Sequence, residues 1–310
     1  MQLHQRPLHL PDDLPSALQL ADSSGLNFPH VADWPYRFSS WALDQIENTQ
    51  VWLGPAAEVL GWVVMQAPFW AIDCIVHPNA PATLYRDMLA WAQARAGEMH
   101  TAGTGRPMWF VSIPANCISQ RHDLEALGFK DQAHADDDAW SKVLFELPHD
   151  APVPVAPLPE GYSVRNLNPT TEIQAYVDLH RQVFNSESMT VDWRKHATRG
   201  LGYINDLDLV IASDQGVLQG FCIAWLRTLT SGEVVGQIEP LGVRESQRGR
   251  GFSKAIMSEA IYRLRKHGAT RIFVETDRQR DSAMAAYASM GFQVAHEVLV
   301  CRWEVVTNRV

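Results

Sequence analysis

In the stretch Gln237-Ile238-Glu239-Pro240-Leu241-Gly242-Val243-Arg244-Glu245-Ser246-Gln247-Arg248-Gly249-Arg250-Gly251-Phe252-Ser253, a β-strand ends at Val243, a basic glycine-rich turn follows, and a helix begins. Glycines 249 and 251 permit backbone conformations that other residues resist, and their missing side chains let a ligand reach the main-chain N–H groups. Those N–H groups and the helix N-terminus together make an anion site, to which Arg248 and Arg250 add charge. A phosphate or diphosphate is the expected ligand. The GxxxxGK[ST] loop and the third glycine of GxGxxG are both absent. Taken alone, the turn is also compatible with an ordinary loop carrying surface arginines.

Pro240 adds a second signal. A proline inside a strand removes a ladder donor and is tolerated where the strand bulges or splays from its neighbour. Two splayed parallel strands expose backbone groups that an amide-bearing ligand can pair with. A splay-inducing residue therefore lies just upstream of a phosphate-binding turn.

Working outward, helical spacing of Phe252, Ala255, Ile256, Ile261 and Leu264 predicts a helix over 251–267, with cations at its C-terminal end and Gly268 as its stop. A second helix is expected over 282–290, before Gly291. Strands are expected over 208–212, 217–227 and 236–243. The first half repeats the pattern, with strands over 51–53, 59–65 and 71–76. In both halves an apolar strand, starting at Met108 or Arg271, reaches a Gly-Phe pair at the same interval of 21 residues, ending on Phe129 or Phe292. The chain is therefore read as α/β, with two duplicated domains. Residues 148–160 lie in a proline-rich stretch that cannot continue a helix or a central strand, and read as a linker between domains 1–147 and 161–310.

The remaining composition mostly excludes. The 310 residues suit about two domains. No apolar run approaches the ~18–20 residues that span a bilayer, and Met1 to Pro7 has no signal-like apolar core, so a cytoplasmic protein is expected. Cys74, Cys117, Cys222 and Cys301 form no CxxC, and the twelve histidines form no HExxH; neither a disulfide framework nor a metal is expected. Residues 1–150 hold 8 basic and 18 acidic side chains, against 18 and 17 in residues 151–310. That asymmetry disfavours nucleic acid and suits either plain solubility or a cationic substrate. The tryptophans of the first half, including Trp52, Trp62 and Trp109, read as core, and Asp136-Asp137-Asp138 as a solvated turn. His180, His196 and His267 show no partner in the sequence.

Arg248-Gly249-Arg250-Gly251-Phe252-Ser253 resembles the R/Q-x-x-G-x-G/A signature of the GNAT family of acyl-CoA-dependent N-acetyltransferases, with Ser253 as the final small residue. The family's second signature, a tyrosine four residues before a Gly-Phe, is matched by Tyr287 and Gly291-Phe292, with Ala283 upstream; Arg280 stands where the family often has asparagine. The resemblance covers about residues 160–305. It implies tandem GNAT-like domains of the mycothiol-synthase-like arrangement, each a mixed, mostly antiparallel sheet with a splayed parallel pair and flanking helices. The first domain looks like a worn copy: Val76-His77-Pro78-Asn79-Ala80-Pro81-Ala82 replaces the glycine turn, and Leu124 replaces the tyrosine.

The resemblance further implies acetyl-CoA as acyl donor, held by the N–H groups of Gly249, Gly251 and Ser253 and by backbone groups of Leu241 and Val243. Gly242, Arg248, Arg250, Phe252 and Arg280 complete the expected cofactor-binding set. The reaction implied is acetyl transfer to a primary amine of a small molecule or peptide by direct attack, with no nucleic acid or membrane partner. Glu239 shares a strand face with Leu241 and is the candidate base; a structural ion pair with a nearby arginine is an equal reading, and Glu275 is the reserve. Tyr287 is the candidate acid for the leaving thiolate. The competing class is a non-catalytic acyl-CoA-binding or regulatory module, which needs neither Glu239 nor Tyr287.

Overall fold

A computed structural model describes residues 3–23, 30–135, 138–152 and 155–305. Asp136 and Asp137 of the acidic run, Val153 and Pro154 of the proline-rich stretch, and Met1 and Gln2 lie outside the described residues. Contacts divide the chain into two compact units. They do not follow the contiguous spans 1–147 and 161–310. Unit 1 comprises residues 1–29, 40–142 and 296–310, and unit 2 residues 30–39 and 143–295. Each is an α/β assembly with a mixed sheet.

In unit 1 the strands His4–Arg6, Thr49–Leu53, Val59–Gln66 and Ala71–Val76 pair antiparallel in chain order. A parallel step, with Ala71 opposite Phe110, leads to Met108–Pro114. The far edge of that strand is covered antiparallel by the chain's last strand, Val298 facing Pro114 and Glu304 facing Met108. The helix Leu84–Thr101 buries Leu84, Tyr85, Met88, Leu89, Ala92, Ala96 and Met99 at helical spacing. Trp52, Trp62 and Trp109 are buried, as expected for core residues.

In unit 2 the strand order is Lys142–Leu147, Arg271–Asp277, Val234–Val243, Leu218–Thr228, Asp208–Ser213 and Tyr162–Asn166. Arg271 and Glu146 form a two-pronged ion pair at 2.7 Å, and Phe145 packs on Tyr287 with ring centres 5.8 Å apart. The helices Phe252–Lys266 and Asp281–Ser289 fall within a residue of their expected limits. The first buries Phe252, Ala255, Ile256, Met257, Ala260, Ile261 and Leu264. All four cysteines are free. Among the described residues no cluster of His, Cys, Asp or Glu is arranged to hold a metal ion, and no helix is long and apolar enough to cross a membrane.

Candidate functional site

The strand Val234–Val243 runs parallel to Arg271–Asp277 only from Val235 opposite Arg271 to Gln237 opposite Phe273 among the described residues. Both strands then continue without that pairing, which opens a fork. Its origin is local. On the other side, Ile238 pairs with Ala224 and Leu241 with Cys222, so Glu239 and Pro240 together face the single residue Ile223. This is a bulge, and Pro240 has no N–H to offer a neighbour. The Trp225 indole N–H donates to the Glu239 carbonyl oxygen at 2.6 Å, which ties down the bulge.

Past the fork, a single 3₁₀ turn, Glu245–Gln247, leads into Arg248-Gly249-Arg250-Gly251. Gly249 and Gly251 have φ of 74° and 83°, left-handed conformations that disfavour any side chain. A Cβ added at either would meet nothing within 4 Å, so the turn's surface is open. Helical bonding begins with the Ala255 N–H donating to the Gly251 carbonyl at 3.0 Å. The amides of Phe252, Ser253 and Lys254 therefore precede the first helical bond and point out at the positive end of the helix dipole. Arg248 is exposed. Arg250 is also exposed, but its guanidinium is bonded to the Gln247 side chain and lies 5.6 Å and 5.5 Å from the Tyr162 and Phe252 rings.

Gly242 answers to packing. A Cβ there would sit 2.4 Å from Phe221 Cζ on the neighbouring strand and 2.7 Å from Val183 Cγ1 on the helix Ile173–Phe184. Gly242→Ala is expected to lower unfolding stability by about 1–3 kcal/mol, since overpacking forces neighbours to shift. Chemical denaturation measures this, and an unchanged midpoint would show that Phe221 yields freely.

Glu239 and Leu241 are both half-buried and alternate with buried Ile238, Pro240 and Gly242, so they share a face. Tyr287 is 7% exposed and packs against Phe145 and Phe292. Burial, then the Glu239 carboxylate and Cys222, push its phenol well above its usual range, with Arg280 opposing. Glu239 and Arg280 thus both lie within electrostatic reach of Tyr287. Arg280 itself is exposed and stands at the N-terminus of the Tyr287 helix. Glu275 lies half-buried on the strand beyond the fork.

Several residues of this region carry no sequence signal that marks them. Asp208 and Arg194 form a fully buried ion pair, to which the Tyr203 hydroxyl donates at 2.8 Å, and Arg194 lies 4.0 Å from the centre of the Tyr176 ring. His180 is buried among Tyr176, Phe184 and Phe221, and burial pushes its imidazole down to about 3. His267 finds Asp206 at 3.0 Å. Residues 30–39, from the first half of the sequence, belong to unit 2 and bring Tyr36 against Trp193 and Trp225. The aromatic run Trp34-Pro35-Tyr36-Arg37-Phe38 was the one visible hint.

A fork of parallel strands feeding a glycine turn at a helix N-terminus coincides with a recognised sequence family. Residues 173–292, from the start of the helix Ile173–Phe184 to the Gly291-Phe292 pair, match the acetyltransferase (GNAT) family. That segment is similar to a GNAT acetyltransferase domain. It is 28% identical over 175 residues to the mycothiol acetyltransferase of Salinispora arenicola, covering 54% of each chain, and so spans about half the length of the curated relatives it matches. Two solved structures share the fold along nearly the whole chain. One is a GCN5-related N-acetyltransferase from Sphaerobacter thermophilus (TM-score 0.65, 19% identity, 98% of this chain and 96% of that one). The other is a tandem GNAT protein from the clavulanic acid biosynthesis pathway (TM-score 0.63, 15% identity, 99% and 100%). The mixed α/β architecture expected from the sequence agrees with these neighbours.

Proposed function

We propose that unit 2 moves an acetyl group from acetyl-CoA to a primary amine of a small-molecule or peptide acceptor by direct attack. The observation that carries this reading is the parallel ladder that stops at Gln237 while its strand runs on to an open turn with two left-handed glycines. The open surface at Gly249 and Gly251 and the amides at the start of the helix fit a diphosphate. In this reading the N–H groups of Gly249, Gly251 and Ser253 hold the diphosphate, Arg248 adds charge from its exposed position, and Phe252 contributes backbone only, its ring being buried. Main-chain groups of Leu241 and Val243 line the fork for the amide-bearing arm.

Acetyl-CoA supplies an activated thioester carbonyl. Glu239 takes the amine proton, directly or through water, from a half-buried position beside the fork. The Leu241 N–H is the donor placed to polarise the carbonyl. Tyr287 hydrogen-bonds the departing sulfur. Because its pKa is raised, it keeps its proton at every pH below the ordinary tyrosine value of about 10. Tyr287→Phe is therefore expected to lower kcat about tenfold with unchanged acetyl-CoA affinity, and the wild type is expected to show no basic limb below that value. A full rate in the variant across pH would assign the role to water.

The turn of unit 1 uses its amides internally: Asn79 N–H donates to His77 Nδ1 at 3.0 Å and Ala80 N–H to the His77 carbonyl at 2.9 Å. Leu124 is buried at the tyrosine position. Both features support a first domain that does not bind acetyl-CoA. The acidic balance of residues 1–150 favours an acceptor that arrives as a cation. Thiol release from acetyl-CoA, screened against polyamines, aminoglycosides, amino acids and peptide N-termini, tests the proposal. Calorimetric binding of acetyl-CoA with no release for any amine would leave the binding-module reading in its place.

A further inference from the structure

The decapeptide His30–Ser39 belongs to unit 2, although more than a hundred residues separate it from the rest of that unit. It is fastened at the base of the fork. Gln237, the last described residue of the parallel ladder, accepts the N–H groups of Val31 and Ala32 on its Oε1 at 2.6 and 2.8 Å. Arg227 donates to the Val31 carbonyl. Trp225 faces Gln237 across the antiparallel ladder, and Tyr36 packs on it with ring centres 5.9 Å apart. On its other side Tyr36 stacks on Trp193 at 5.3 Å and 27°. The Trp225 indole holds the Glu239 carbonyl. A continuous chain of contacts thus runs from Tyr36 through Trp225 to the backbone of Glu239.

We propose that Tyr36 is a positioning residue of the transfer site, setting the Glu239 backbone through Trp225, so that the C-terminal half works only with this piece of the N-terminal half. The inference rests on the reading of Glu239 as proton acceptor. The field at Tyr36 agrees with the geometry. Burial, then Tyr176 and the Glu239 carboxylate, raise its phenol well above the usual value, while Arg194 and Arg37 oppose. Trp225 and Tyr36 are both almost fully buried, so a smaller side chain at 36 leaves the indole free to turn. Turning would release the bulge that aims Glu239.

The test uses the full-length chain with Tyr36→Leu, Tyr36→Phe and Trp225→Phe. Amide exchange should quicken about tenfold or more in residues 237–243 of Tyr36→Leu while the helix 252–266 keeps its protection. With an amine that the wild type acetylates, kcat should fall about tenfold or more, with KM for acetyl-CoA within about twofold. Tyr36→Phe, which keeps the ring, should stay within about twofold of the wild type in both readouts. Trp225→Phe, which loses the indole donor, should behave like Tyr36→Leu, and it decides the matter if Tyr36→Leu does not fold. Exchange in 237–243 that is unchanged, or that rises equally throughout the helix, overturns the proposal. So does an undiminished kcat. If the wild type acetylates no amine, the function reading fails, and the exchange result alone judges Tyr36.

Discussion

Gly251→Asp is expected to weaken acetyl-CoA binding by about 100-fold or more. Two effects combine. The residue sits at φ 83°, where a side chain costs roughly 1–2 kcal/mol. The carboxylate would then stand among the amides proposed to hold the diphosphate, and two like charges about 4 Å apart repel by roughly 4 kcal/mol at an effective dielectric near 20. Exposure and salt reduce that figure, but about 2.7 kcal/mol suffices for the stated loss. Gly251→Ala separates the effects. A Cβ there meets nothing within 4 Å, so alanine carries the strain without the charge and should lose about tenfold or less. Calorimetry with acetyl-CoA reads both variants, with thermal melting as a check on folding. If the aspartate variant binds as tightly as the wild type, the diphosphate is held elsewhere and the proposed site is wrong.

Glu239→Gln is expected to lower kcat by about 10²–10⁴-fold, the usual contribution of a positioned general base. Glutamine keeps the shape and the half-buried packing but cannot take a proton. The acetyl-CoA dissociation constant should not change, because in the proposed site the diphosphate and the amide-bearing arm are held by main chain that follows this residue. Glu275→Gln is the matching control. A variant at 239 that retains most of its turnover, beside one at 275 that loses it, would move the base to the neighbouring strand.

Much of the second half was legible because its signals are local. The helix 252–266 announces itself by spacing and by Gly251 and Gly268 at its ends. The strand 234–243 announces its disruption through Pro240, and the ladder does stop nearby. The strand starts near Met108 and Arg271, from which the matched interval was counted, are the observed ones. What stayed hidden depends on pairing between distant segments. Nothing near Val143–Leu147 says that its strand neighbours Arg271–Asp277, and nothing near Val298–Glu304 says that it completes the other unit. The packing demand at Gly242 comes from Phe221 and Val183, whose approach no spacing rule foretells. Tyr36 was illegible for the same reason: its partners Trp193 and Trp225 lie more than 150 residues away.

The covering of Met108–Pro114 by Val298–Glu304 has a consequence for biosynthesis. Residues 40–142 leave the ribosome more than 150 residues before the strand that covers their edge. Until then that strand presents unsatisfied N–H and C=O groups to any passing β-segment. Unit 1 is therefore completed only after residues 143–295 of unit 2 have been made, and a nascent chain halted before residue 298 would expose a template for aggregation.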